Sequence, residues 1–127
     1  MRKLLLLVAL SALALAGPAI AQGGMTARSF CDGLLEVQAS ARGASDAQGN
    51  FVQYYAFIAM HGDALSNRAA IISFAPPAPV QASAPQRVSL REGRQQVILG
   101  QERRPGGMVS PSIPRGQIGN HVTVQCQ

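Results

Sequence analysis

The residues able to do chemistry are few: two cysteines, Cys31 and Cys126, two histidines, His61 and His121, and six carboxylates spread along 127 residues. Grouped as a metal site, the cysteines and histidines fail on parity. On a final strand His121 and Cys126 are an odd number of positions apart and face opposite sides of a sheet. His61 beside Met60, with Met25 and Met108 as further sulfur donors, would suit copper, but their spacing does not converge. Asp32 and Glu36 make the only close acid pair on a strand reading, and there they stand about 13 Å apart at roughly 3.3 Å per residue. That is too wide for a paired-carboxylate glycosidase. There is no Gly-x-Ser-x-Gly elbow, phosphate loop, Cys-x-x-Cys or His-Glu-x-x-His. No lysine follows Lys3, which excludes lysine bases and Schiff bases from a processed chain. The expectation is a protein that is not an enzyme and takes no metal or cofactor.

The cysteines then have a simpler use. In an exported chain, one cysteine near the start and one next to the end predict a disulfide, Cys31–Cys126, that joins the two ends of the domain. Export is predicted by residues 1–21. Arg2 and Lys3 precede an apolar run over 4–16, and Ala19 and Ala21 supply the small residues ahead of a cleavage point before Gln22. The apolar run is 13 residues, too short to span a bilayer. The sequence therefore predicts a cleavable helical signal peptide (1–21), a flexible lead (22–30) and one domain (31–127), periplasmic or secreted, with no membrane span once the signal is removed.

Subtracting Arg2 and Lys3 from the formal charge of +5 leaves +3 over residues 22–127, and all nine remaining basic residues are arginine. Arg91 and Arg94, with Arg103, Arg104 and Arg115 in the glycine- and proline-rich stretch 100–120, form a candidate basic rim if their loops meet at one end of the fold. Such a rim would grip an acidic envelope protein, an anionic glycan or a lipid headgroup. Nucleic acid is not expected as a partner, because the aromatics cluster in the presumed core and export puts the chain in the wrong compartment. Residues 111–115, PSIPR, match a polyproline ligand for an SH3 groove only by a short and common pattern.

What must position these groups is organised around residues 51–60, FVQYYAFIAM, which hold four of the six aromatics and no charge. As a strand, Phe51, Gln53, Tyr55, Phe57 and Ala59 share one face, and Val52, Tyr54, Ala56, Ile58 and Met60 the other. Both faces are then largely apolar, which predicts a central strand either covered on both sides or meeting a partner on one. A helix capped by Asn50 competes, but no polar face recurs with helical spacing. Residues 34–41 alternate as a half-buried strand, again with a helical competitor, and 42–50 reads as a turn-rich connection. Residues 68–74 form another short strand, expected to pair with 51–60 through a hairpin at 61–67. The proline-rich stretch 75–85 is a crossing. Residues 87–90 and 95–99 are expected to form a hairpin about Arg91-Glu92-Gly93-Arg94, and 121–126 is the closing strand.

Six or seven short strands in about 100 residues predict an all-β fold, a small antiparallel β-sandwich, with a small antiparallel β-barrel as the alternative. An aromatic central strand followed by a second strand and VSLREGRQQVIL resembles the pattern of small immunoglobulin-like domains of exported bacterial proteins. The terminal cysteines and the lack of tryptophan set it apart from antibody-type domains. The expected function is a non-enzymatic exported module for binding an envelope protein or other envelope component. The alternatives are a small envelope enzyme or anionic-ligand binder that uses residues 100–120, and an assembly edge at an exposed Tyr54–Tyr55.

Overall fold

A computed structural model describes residues 26–127, so the expected signal peptide lies outside the described residues. The chain forms two antiparallel sheets packed as a small all-β sandwich. Its first elements are β1 (Arg28–Phe30), β2 (Leu35–Asp46), β3 (Gly49–Met60) and β4 (Ala69–Phe74). After them come β5 (Gln81–Ala82), β6 (Gln86–Ser89), β7 (Gly93–Glu102) and β8 (Val122–Cys126). The larger sheet has the order β1-β2-β3-β7-β5 and the smaller β6-β4-β8.

The aromatic strand is central, as its composition predicts. β3 pairs along its whole length with β2 on one side and, from Val52 to Met60, with β7 on the other. Its alternation separates the faces. Val52, Tyr54, Ala56, Ile58 and Met60 are buried in the core, while Gln53, Tyr55, Phe57 and Ala59 look outward. Because both edges of β3 are occupied and Tyr54 is fully buried, the expected Tyr54–Tyr55 assembly edge does not exist.

Residues 42–50 correct the expectation of a loop. β2 runs on to Asp46 and β3 begins at Gly49, so the connection shrinks to Ala47 and Gln48. Asp46 accepts from the Gln48 amide at 2.8 Å, and Gly49 takes a φ of +112°, which the turn needs and side chains disfavour. Within the expected flexible lead, Arg28–Phe30 instead forms β1 against Leu35–Val37.

Neither of the two remaining expected hairpins forms. β4 does not pair with β3 but lies in the smaller sheet between β6 and β8. β6 likewise pairs with β4 while β7 pairs with β3 and β5, so Arg91-Glu92 carries the chain from one sheet to the other. Turn chemistry is compatible with either route. The deciding factor is that the second edge of β3 requires a long partner, which ten-residue β7 supplies and six-residue β4 does not. At this crossing the Gly62 amide donates to the Leu90 carbonyl at 2.7 Å, and the Glu92 amide donates to the Gly62 carbonyl at 2.9 Å.

The sheets bury one core, in which Tyr54 of the larger sheet meets Phe74 of the smaller with ring centroids 5.7 Å apart. The Cys31–Cys126 disulfide is present and ties the turn after β1 to the end of β8. Residues 103–121 are not a bare loop, since they contain 3-10 segments at Pro105–Gly107 and Arg115–His121. Ile113 and Ile118 of this segment are buried in the core. Among the described residues no helix is long and apolar enough to cross a membrane.

Candidate functional site

The outward face of the larger sheet carries an ordered array of aromatic, amide and guanidinium groups. Period-two alternation puts Tyr55 and Phe57 on it, with Arg42 of β2 and Gln96 of β7 on the strands alongside. Their rings meet nearly edge to face, 83° apart with centroids at 5.3 Å. The Arg42 guanidinium lies 4.4 Å from the Tyr55 ring centroid. Arg42 is held there by donating through Nε to Gln53 Oε1 at 2.9 Å and through Nη1 to Gln96 Oε1 at 3.3 Å. Phe51 closes one end of the aromatic row and is buried under the Arg103 guanidinium. Phe57 has no such cover and is 47% exposed.

Beside Phe57 lies an open groove of about 580 Å³, lined among others by Glu36, Gln38, Phe57, Arg94, Gln95 and Gln96. Its charged groups are one acid and one base. Glu36 pairs with His61 at 3.2 Å across the start of β2 and the end of β3, with both side chains about half exposed. A pair that open to water is worth little to stability. The groove therefore offers an aromatic surface, amides that both donate and accept, and charges that balance.

A second polar cluster is sealed in the core. Tyr54 Oη donates to Glu102 Oε1 at 2.6 Å, and the Ser112 amide donates to the same oxygen at 3.1 Å. The Ile113 amide reaches the tyrosine oxygen at 3.5 Å. Glu102 is 1% exposed, and its Oε2 has no hydrogen-bond partner among the described residues. Burial opposes its ionisation, but hydrogen bonds from Ser112 and Tyr54 and the nearby positive charge of Arg104 outweigh it. The carboxyl is thus held below its ordinary value. Burial, followed by the bond to Glu102, pushes the Tyr54 phenol up. A carboxylate so enclosed fastens residues 103–114 to the sheet and is remote from solvent.

Glu102 was not among the candidate residues, and a bulge explains why. Counting every second residue from Val97 puts Leu99 inward and Glu102 outward. The β3–β7 register shifts between Tyr54 and Tyr55, so that Gly100 lies opposite Tyr54 and Glu102 opposite inward-facing Val52. The one local signal is Gly100 itself, because a Cβ there would lie 2.4 Å from the Gln81 carbonyl of β5.

The five arginines proposed as a rim do not meet. Arg94 is the second residue of β7, opposite Ala59, and Arg103 follows its end, nine residues on, or about 30 Å along a strand. Arg103 pairs with Asp46 at the tip of the β2–β3 hairpin. Asp46 itself is held below its ordinary value, first by the Gln48 amide and then, against desolvation, by Arg103. Arg104 donates to the Ser110 carbonyl at 2.8 Å and Arg115 to the Ala41 carbonyl at 3.3 Å, so both hold the 103–121 segment in place. Arg91 stands by the crossing between sheets, where its Nε donates to the Ser66 carbonyl at 2.9 Å. The rim is divided because β7 runs the length of the sheet instead of turning back on β6.

The disulfide removes Cys31 and Cys126 as thiolate ligands, and no group of three metal-ligating side chains converges among the described residues. Comparison with family models, with curated proteins and with solved structures finds no match to the chain.

Proposed function

We propose that the chain is an exported, non-enzymatic module that holds a glycan of the cell envelope on the outward face of its larger sheet. The observation carrying this reading is that the aromatic central strand is covered on one face only. Tyr55 and Phe57 lie outward between amide and guanidinium groups, and Phe57 is about half exposed beside the groove. Hydroxyl-rich ligands present apolar C–H faces and groups that both donate and accept. The Phe57 ring, with Gln38 and Gln96 opposite it on the neighbouring strands, answers both demands. Glu36 and Arg94 balance in charge, which favours a neutral sugar surface over an acidic one. The signal-like residues 1–21 and the disulfide support a periplasmic or secreted setting.

An enzyme or anionic-ligand binder working through residues 100–120 is less well supported. That segment is committed to structure through Ile113, Ile118 and the Glu102–Ser112 bond, and it does not line the groove beside Phe57. The test is affinity electrophoresis of the oxidised protein through gels containing neutral polysaccharides. Retardation that disappears in Phe57→Ala while the thermal midpoint stays within a few degrees is expected. Failure of every neutral polysaccharide to retard the native protein, or equal retardation of Phe57→Ala, refutes the proposal.

A further inference from the structure

A notch of about 350 Å³ lies on another part of the molecule, where residues 66–69, leading into β4, run beside β6 and the crossing to β7. Ser66, Asn67, Arg68, Arg87, Ser89 and Arg91 line it. Ala69 lies opposite Ser89 and Ile71 opposite Arg87, so Arg87 and Ser89 project from one face of β6, and Arg68 lines the same notch from the segment just before β4. The Arg68 carbonyl accepts from the Leu90 amide at 3.0 Å, which holds the two segments together.

Two of the three guanidiniums are held in place from behind. Arg91 donates through Nε to the Ser66 carbonyl at 2.9 Å, and Arg87 donates through Nε to Gln127 Oε1 at 3.2 Å. Among the described residues their terminal Nη groups and the whole Arg68 guanidinium have no partner. The nearest acids in sequence are Asp63 and Glu92, and neither forms an ion pair with these arginines. The one arginine ion pair among the described residues is Asp46–Arg103. Among the described residues no carboxylate lies within salt-bridge distance of these three guanidiniums, and like charges gathered in one concavity carry a cost that a bound anion would relieve.

We infer that the Arg68–Arg87–Arg91 notch is a binding site for a phosphate group. The forked geometry of guanidinium matches two oxygens of a tetrahedral anion at once, and the Ser66 and Ser89 hydroxyls supply further donors at the rim. The phosphate comes either free in solution or on an anionic lipid surface. The site is independent of the aromatic face, so it stands or falls apart from the glycan proposal.

The experiment is titration of the oxidised, isotope-labelled protein with inorganic phosphate, followed by amide and arginine Nε resonances. A parallel arm measures co-sedimentation with phosphatidylglycerol and with phosphatidylcholine vesicles. Saturable shifts at residues 66–69 and 87–91 support a free-phosphate site. Sedimentation with phosphatidylglycerol alone, without such shifts, supports a site for lipid-borne phosphate. In either case Arg68→Gln with Arg87→Gln is expected to weaken binding by about tenfold or more, as the loss of charge-assisted bonds implies. Arg103→Gln, outside the notch, is expected to leave it unchanged. Absence of binding in both arms overturns the inference. So does binding that the double substitution leaves intact, or shifts scattered over all the arginines.

Discussion

Replacing Tyr54 by Phe tests the buried Tyr54–Glu102–Ser112 cluster with the least disturbance to shape. The ring stays packed against Phe74, so the cost is polar. Glu102 Oε1 loses a 2.6 Å donor and keeps only the Ser112 contacts, while Oε2 is already without a partner. A hydrogen bond to a charged group contributes about 1.5–3 kcal/mol, against about 0.5–1.5 kcal/mol between neutral groups. The loss at pH 7 is therefore expected at about 1.5–3 kcal/mol, roughly 8–16 °C in midpoint for a domain near this size. The pH dependence has a definite sign. Because Glu102 is depressed in the fold, its ionisation contributes stability that is complete above the ordinary glutamate value, about 4.3, and is lost as pH falls through the folded value. Removing Tyr54 Oη raises that folded value, so the variant has less to lose on acidification. The gap between the two proteins should thus narrow below about pH 4 toward the neutral-bond range. Urea unfolding of both proteins at pH 7, 5 and 3.5 measures this. Tyr54 and Arg104 are the titrating and charged groups acting on Glu102, and neither changes charge in that window. A loss under about 0.5 kcal/mol at pH 7, or a gap that widens in acid, would refute the account of a buried ionised glutamate held by its donors.

Reducing Cys31–Cys126, which spans 95 positions, should lower stability by about 4–5 kcal/mol through the freed unfolded chain. Coincident urea midpoints with and without reductant would contradict that. Gly100→Ala places a Cβ 2.4 Å from the Gln81 carbonyl and should cost about 1–3 kcal/mol by forcing β5 away from β7. Hydrogen exchange is the sensitive reporter, since the Ser83 amide now bonds the Leu99 carbonyl at 2.8 Å. That amide should exchange faster while β2–β3 amides keep their protection, and an unchanged Ser83 rate would count against the close approach. Tyr55→Ala should weaken glycan retention as Phe57→Ala does, because it removes the ring that Phe57 packs against. Retention equal to that of the native protein would separate Tyr55 from the site.

Much of this molecule follows from spacing along the chain. Alternation across residues 51–60 determined a strand with two distinct apolar faces, and the placement of two cysteines near the ends of the domain determined the disulfide. Both depend on short-range geometry, the two-residue period of a strand and the reach of one sulfur to another. The partner of each strand is a different kind of fact. Residues 61–67 and 91–94 are each compatible with a hairpin, and only competition for the open edge of β3 sends β7 to it and β4 to the other sheet. The sites depend on that outcome. Arg68 and Arg87 line one notch because the start of β4 lies against β6, and the expected five-arginine rim is divided because β7 runs along β3 from Met60 to Val52. Glu102 faces inward because a one-residue bulge reverses parity between Tyr55 and Tyr54, a shift no count of residues reveals. Local spacing marks the central parts of the longer strands and their apolar sides, while β1, β5 and the extension of β2 to Asp46 escape it. Tertiary pairing decided which side chains stand together, because those choices belong to edges and layers far apart in the chain.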